Sequence, residues 1–223
     1  MGVVILATSA YFLLNKENKP MVKAIASNTS EQHCGIKRSF EKNTAKTVIL
    51  GKSDKEYEVG KDFHPGYYDV TSISSKTVNF AGDNLRGNEE LKGIFYCNNN
   101  KIGVRGEGQV KLKPAKFEKL KRKNDYYTIS KSGYYVVGSE MPEGKYEFAL
   151  EKSPEPLYIF IDIRNKKLEP IDSIQWDNKK NARSISFNLK KGDQLYIDKK
   201  DRKRNENQKI QLKMIEVKED SYY

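Results

Sequence analysis

The chain has 223 residues, of which 37% are hydrophobic and 32% are charged. This length allows one large domain or two smaller ones, and the 14 tyrosines and 9 phenylalanines exclude an intrinsically disordered chain. The formal net charge of +11, from 41 Lys and Arg against 30 Asp and Glu, predicts a surface that attracts polyanions. The basic residues are mostly lysine, which disfavours specific nucleic-acid readout because arginine makes the better bidentate contacts.

The chain opens with an uncharged run, Gly2–Leu14, of sequence GVVILATSAYFLL. The run is shorter than the roughly 20 residues of a membrane-spanning helix but suits the hydrophobic region of a signal peptide, which needs about 7–15. Residues 1–14 are therefore predicted to be a signal or membrane-anchor segment, with a true start upstream as a hypothesis. The alternative is a buried first strand. The expected location is membrane-anchored on the extracellular face, or secreted.

A polar linker is predicted over residues 15–43, where large apolar side chains are scarce. From Thr47 onward, short β-branched and aromatic runs alternate with turn residues, and no apolar pattern has helical spacing. Twelve strands are predicted: Thr47–Leu50, Tyr67–Ile73, Val78–Phe80, Ile94–Cys97, Gln109–Lys113, Tyr126–Ile129, Tyr134–Val137, Tyr146–Leu150, Leu157–Ile163, Ser184–Leu189, Gln194–Asp198 and Lys209–Val217. The predicted fold class is all-β, with two tandem β-sandwich domains of jelly-roll or immunoglobulin-like size.

An internal repeat divides these strands into two sets. YEVGKDFHPGYYDV from Tyr57 and YVVGSEMPEGKYEF from Tyr135 align when Gly60 is placed on Gly138. The distance in sequence from Gly60 to Gly138 is too long for the repeat unit of a solenoid and suits two copies of one small domain. The first β domain is predicted over residues 44–124 and the second over 125–219, followed by a tail at 220–223.

The repeated pattern contains three equivalent pairs of residues, Gly60 and Gly138, Gly66 and Gly144, Tyr68 and Tyr146. It resembles a G-x-D-I-P-x-G-x-Y motif of repeated β domains in secreted and membrane-anchored bacterial surface proteins. The resemblance covers about twelve residues in each copy and implies a β fold and a cell-surface location, with no common activity. The chain departs from the motif at His64 and Pro65.

The motif also has a direct physical interpretation as a structural corner. Pro65-Gly66 is a typical turn pair, since proline presets φ and glycine accepts the left-handed conformation, and Tyr68 then begins an alternating strand. The competing hypothesis is that Asp62 and Glu140 are paired carboxylates for calcium binding or catalysis. The oxygen spacing of an EF-hand is absent from this segment.

Catalytic and metal-binding patterns are scarce. The two histidines, His33 and His64, have no partner at a spacing typical of a nucleophile or zinc site. The glycines of IGVRGEGQV, from Ile102, lack the ending of a phosphate loop and are predicted to form a β-turn. No catalytic residue, metal or cofactor is predicted. Pairing of Cys34 with Cys97 is left open.

Two clusters of basic residues, at 116–123 and 199–204, are the clearest candidates for a functional surface. Each is predicted to lie in a glycine-led terminal hairpin of its repeat, which would place the two at equivalent positions. The alternative is a solvated edge protected by lysines. The predicted polyanion contacts are Lys116, Lys119, Lys121, Arg122, Lys123, Lys199, Lys200, Arg202, Lys203 and Arg204.

These features predict a non-catalytic binding or assembly protein of a bacterial envelope. The expected partner is an anionic envelope polymer or another surface protein, with an anionic membrane surface as a further candidate. The first alternative is a nucleic-acid-binding accessory module, of DNA transfer or defence, that uses the same lysines. A weaker alternative is an enzyme with an unrecognised carboxylate pair.

Overall fold

The computed structural model describes residues 42–51, 53–150, 158–177, 185–199 and 209–215, which form strands and no helix. The all-β prediction is therefore confirmed for this part of the chain. Residues 1–41 and 216–223 lie outside it, and with them the predicted anchor, most of the linker and the tail. The strands are β1 (Val48–Gly51), β2 (Lys55–Glu58), β3 (Gly66–Ser72), β4 (Val78–Phe80), β5 (Asp83–Leu85), β6 (Glu90–Tyr96), β7 (Lys101–Arg105), β8 (Gln109–Pro114), β9 (Arg122–Lys123), β10 (Tyr126–Ile129), β11 (Ser132–Val136), β12 (Gly144–Leu150), β13 (Tyr158–Arg164), β14 (Pro170–Asp177), β15 (Ile185–Leu189), β16 (Gln194–Lys199) and β17 (Ile210–Ile215).

Each of the twelve predicted strands overlaps an observed one. The outermost residues predicted for three of them, Leu157, Ser184 and 216–217, lie outside the described residues. Five strands were not predicted: β2, β5, β7, β9 and β14. They are short, rich in charged residues, or begin with proline, so intrinsic β-propensity does not reveal them. Gly103 belongs to β7, so the turn predicted for IGVRGEGQV begins only after Arg105.

The same pairing pattern occurs twice. In the first half, residues 42–114, the strand orders are β1-β8-β3-β6 and β2-β7-β4-β5, and in the second half, residues 126–215, they are β10-β17-β12-β15 and β11-β16-β13-β14. Every pair in the first half has a counterpart in the second. Eight strands connected in this order have the strand order of a jelly roll. The small strand β9 is additional and pairs with β10.

Each half has its own hydrophobic core, to which both of its sheets contribute. In the first half, one sheet supplies Val70 and Leu112, and the other supplies Phe80 and Val104. The second core likewise takes Phe148 from β12 and Ile161 from β13. Burial of both facing surfaces explains why the strands alternate between apolar and polar residues.

The two halves share one eight-stranded sheet, joined by the parallel pairing of β6 with β11. At the junction Leu91 lies opposite Ser132. Tyr134, on the same side of the sheet as Ser132 by strand alternation, belongs with Leu91 to the first core. Tyr135 points to the other side and packs in the second core. The two cores therefore lie on opposite faces of the shared sheet.

The predicted terminal hairpins are wrong. The strand β8 pairs with β1 and β3, β16 pairs with β11 and β13, and β17 pairs with β10 and β12. Consecutive strands at these points belong to different sheets, because each sheet must offer one apolar face to the core. The basic clusters are consequently not equivalent. The first follows β8, whose counterpart is β17, whereas the second follows β16, whose counterpart is β7.

The repeated motif forms the same corner in both halves, with its turn earlier than predicted. The turn lies at Gly60–Asp62, while Gly66 already starts β3. Gly60 and Gly138 have φ of 92° and 90°, which glycine adopts without strain. After the corner, the Tyr68 hydroxyl donates to the His64 carbonyl oxygen and the Tyr146 hydroxyl to that of Pro142, both at 2.6 Å.

Candidate polyanion-binding site

The first basic cluster belongs to a connecting segment, residues 115–123, which we call the basic strap. It runs from the end of β8 to the β9–β10 turn and includes β9. Its sequence AKFEKLKRK has one acid, Glu118, and its five cations are exposed: Lys116, Lys119, Lys121, Arg122 and Lys123. Arg122 also forms an ion pair with Asp125 at 2.5 Å. The strap therefore presents a strongly positive surface.

The start of the strap continues the pairing of β8 with β3. The Ala115 N–H donates to the Tyr67 carbonyl oxygen at 2.9 Å. Asp69 accepts a hydrogen bond from the Gly93 N–H at 2.9 Å. Burial raises the pKa of the Asp69 carboxyl, although the backbone N–H groups of Gly93 and Lys116 act in the opposite direction. Asp69 thus connects the strap to the edge of the first half.

Lys92 on β6 contacts the strap near its start, at Lys116 and Phe117. Its Nζ donates to the Lys116 carbonyl oxygen at 3.4 Å and lies 5.0 Å from the centre of the Phe117 ring. The same Nζ lies 2.5 Å from Oε1 of Glu140, which belongs to the second half. Phe117 also meets the Tyr67 ring edge-on, with centroids 5.3 Å apart. Lys92, which belongs to the first half and is half-buried, therefore contacts both the strap and the second half.

Glu140, in the second half, binds both Lys92 and the strap. Its Oε2 accepts the Val136 N–H at 2.8 Å, and its carbonyl oxygen accepts the Leu120 N–H at 2.7 Å. Burial raises the pKa of the Glu140 carboxyl, and the charge of Lys92 partly offsets this effect. Leu120 packs against the second core. The strap is thus attached at Ala115, Phe117 and Leu120 while its cations face solvent.

The structure treats the two carboxylates of the repeated motif differently. Glu140 is buried against Lys92, whereas Asp62 is more exposed and lies 3.6 Å from Lys55. Asp62 also accepts the Glu58 N–H at 2.7 Å, and this hydrogen bond is the main cause of its lowered pKa. The two carboxylates occupy corresponding corners of separate halves, and each has its own cationic partner.

The second predicted cluster is only partly described. Lys200, Arg202, Lys203 and Arg204 lie outside the described residues. Lys199 lies in β16 with 3% of its surface exposed, and its Nζ donates to the Ser130 carbonyl oxygen. Its prediction as a surface contact is wrong because strand alternation points its side chain toward the core.

Sequence reasoning missed Asp69 and Lys92, and it assigned Glu140 a different role. Each resembles an ordinary polar position of a strand or a turn, and their contact depends on the β6–β11 junction. Asp69 also opposes Lys113 of β8 in register, so Lys111 and Lys113 lie on the face of the sheet over which the strap begins.

A scan against protein-family models finds no match, and a search of curated proteins returns no similar sequence. Among the described residues, no group of three or more His, Cys, Asp or Glu side chains is placed to hold a metal ion. The same residues contain no helix that is long and apolar enough to cross a membrane.

Proposed function

We propose that the chain is a non-catalytic binding protein of a bacterial envelope and that the basic strap contacts an anionic polymer. The observation that supports this proposal is the combination of five exposed cations with a backbone fastened to both halves. A segment that is already ordered loses less conformational entropy when it binds a ligand. A lysine-rich linker without such contacts would lose more.

The chemistry of the strap favours a ligand with repeated phosphate groups. Four of its five cations are lysines, which act as hydrated point charges and do not enforce the planar geometry of an arginine fork. The affinity of such a surface depends on the number of negative charges on the ligand and only weakly on the chemical groups that surround them. Affinity would come mainly from counterion release and would decrease steeply as salt is added.

The envelope location rests on the apolar run at residues 2–14 and on the doubled motif. A phosphate-rich envelope polymer is the ligand that this location would offer. Protease treatment of intact cells tests the location directly, because an outward-facing protein is degraded while cytoplasmic proteins survive. Survival of the chain would leave the nucleic-acid alternative as the better explanation of the strap.

The binding role is tested with a strap variant, K116Q/K119Q/K121Q/R122Q/K123Q. A matched control, K61Q/K101Q/K166Q/K167Q/K190Q, removes the same charge from five exposed lysines outside the strap. Affinity for poly(glycerol phosphate) is measured at a series of salt concentrations, with duplex DNA as the comparison ligand. We expect the strap variant to lose about tenfold or more in affinity at low salt and the control to lose much less. Equal losses would mean that only net charge matters and would refute the role of the strap.

A further inference from the structure

The outer face of the first half carries two exposed isoleucines. Ile49 on β1 is 51% exposed, and Ile73, directly after β3, is 43% exposed. Their neighbours Leu50 and Ser72 are buried, so strand alternation points both isoleucines away from the core. Large apolar side chains at such exposure are ordinary when isolated, and these two share a face with basic residues.

The register of the sheet places lysines between and beside the isoleucines. Ile49 lies opposite Lys111 of β8, and Lys111 lies opposite Thr71 of β3. The Ile73 N–H donates to the Gln109 carbonyl oxygen at 3.0 Å, which puts Ile73 one diagonal step from Lys111. Lys113 follows on the same face of β8, where it is exposed.

The acids near this face are already engaged. Glu90, which opposes Thr71 on the next strand, forms an ion pair with Lys131 at 2.7 Å. Asp69, opposite Lys113, is half-buried and accepts the Gly93 N–H. The face therefore combines two apolar side chains with two lysines, neither of which forms an ion pair within the part of the chain that the structure describes.

We propose that this face, defined by Ile49, Ile73, Lys111 and Lys113, docks on the surface of an anionic phospholipid bilayer. Isoleucine side chains enter the boundary between headgroups and acyl chains, while lysines extend their ammonium groups to the phosphates. Lysine near an anionic bilayer strengthens binding by about fivefold per residue. A protein partner fits this composition less well, because lysine is depleted at the centre of protein interfaces.

This inference goes beyond polymer binding by the strap and rests on different residues. The two surfaces are nevertheless adjacent, because the strap begins at the end of β8 and is fastened beside Lys113. Docking through the isoleucines would hold the strap close to the headgroup layer. An envelope polymer that is anchored in the same bilayer would then be within its reach.

The test measures orientation on the membrane, because the apolar run at residues 2–14 can by itself retain the full chain on vesicles. An environment-sensitive fluorophore is attached to Ile49→Cys in a Cys34→Ser background, where the remaining Cys97 is buried. The matched control is Ile171→Cys. Ile171 is 52% exposed and lies on β14, the opposite edge strand of the same sheet.

On vesicles that contain phosphatidylglycerol, we expect a blue shift and a several-fold loss of quenching by aqueous iodide at position 49 and not at position 171. With vesicles of phosphatidylcholine alone, the fluorophores at both positions should keep the emission spectrum and the iodide quenching that they show in water. Adding Lys111→Gln and Lys113→Gln to the labelled Ile49→Cys variant should abolish the shift, with the fold checked by circular dichroism. An aqueous spectrum at position 49 on anionic vesicles, or equal shifts at both positions, would overturn the proposal. The strap variant measured against polymer reports on the other surface, so the two proposals fail separately.

Discussion

The Nζ of Lys92 lies 2.5 Å from Oε1 of Glu140 and joins the two halves at a point that solvent barely reaches. The Lys92 side chain is 14% exposed and that of Glu140 is 0% exposed. At the corresponding corner of the first half, Asp62 and Lys55 are 3.6 Å apart and considerably more exposed. The same corner therefore supports a buried contact between the halves in one copy and a surface ion pair in the other.

Substituting Lys92→Met should destabilise the protein by about 3 kcal/mol, because it leaves the buried Glu140 carboxyl without its cation. Glu140 still accepts the Val136 N–H, so the corner itself is retained. Lys55→Met, which removes the cation of the exposed pair with Asp62, is the matched control, and we expect little change there because exposed ion pairs contribute little. The measurement is chemical unfolding of both variants.

Combining Lys92→Met with Glu140→Gln provides an internal check on that cause. Removing both charges of a buried pair is often nearly neutral, so the double variant should regain most of the lost stability. If it is as unstable as Lys92→Met alone, the damage comes from the lost packing of the Lys92 side chain and not from the unpaired carboxyl.

The pH dependence of stability should carry the signature of two buried carboxyls. Burial raises the pKa values of Glu140 and Asp69 above their ordinary values. A carboxyl of this kind binds protons more readily in the folded chain than in the unfolded chain. Its contribution to stability is complete below the unfolded pKa and is lost as the pH rises through the folded pKa.

We therefore compare the wild type with the double variant Asp69→Asn/Glu140→Gln. The free energy of unfolding of the wild type, relative to this variant, should increase as the pH falls from about 7 to about 4. Carboxyls in favourable surface ion pairs have the opposite effect, because their contribution to stability is lost as the pH falls. A relative stability that decreases on acidification would show that the ionised forms are the preferred ones in the folded state.

Gly133 should tolerate no side chain at the junction of the halves. Its φ is 130°, and a Cβ atom there would lie 2.2 Å from the Lys92 carbonyl oxygen. We expect Gly133→Ala to cost about 3 kcal/mol. Gly103→Ala is the control, because a Cβ at Gly103 would meet nothing within 4 Å, and it should stabilise by about 0.4–1 kcal/mol through the unfolded state. Thermal or chemical unfolding separates the two outcomes.

Removing the Phe117 ring should loosen the strap without changing its charge. The ring contacts Lys92 and Tyr67, and contacts of these kinds contribute about 1–2 kcal/mol together. Trypsin should then cleave Phe117→Ala after Lys116, Lys119 or Lys121 about fivefold faster or more, because cleavage follows the open population.

Phe160→Ala is the comparison variant for this experiment. Phe160 is another half-buried aromatic residue, packed beside Tyr196 with ring centroids 6.5 Å apart. Its loss should leave cleavage of the strap unchanged. Equal acceleration in both variants would point to global destabilisation and not to a local release of the strap.

The alternation of apolar and polar residues along the chain was sufficient to predict most strands. The pattern predicts a strand over Tyr67–Ile73, and the structure has one at Gly66–Ser72, because one face of such a strand must be apolar wherever it packs. The duplication was likewise readable, since each copy repeats the glycines and the tyrosine of its corner. Edge strands such as Lys55–Glu58 are not predicted, because charged residues interrupt the alternation of apolar and polar residues.

The all-β class and the duplication are predictable from the sequence, because both depend on short, local patterns. The use of the basic residues is not, because it depends on how the two halves pack. Lys92 and Glu140 are 48 positions apart and meet because the β6 edge of one half pairs with the β11 edge of the other. That choice of edges is a long-range property of two packed cores, and no local pattern records it. It buries one ion pair, fastens the strap beside it and leaves five of the predicted cations on the surface.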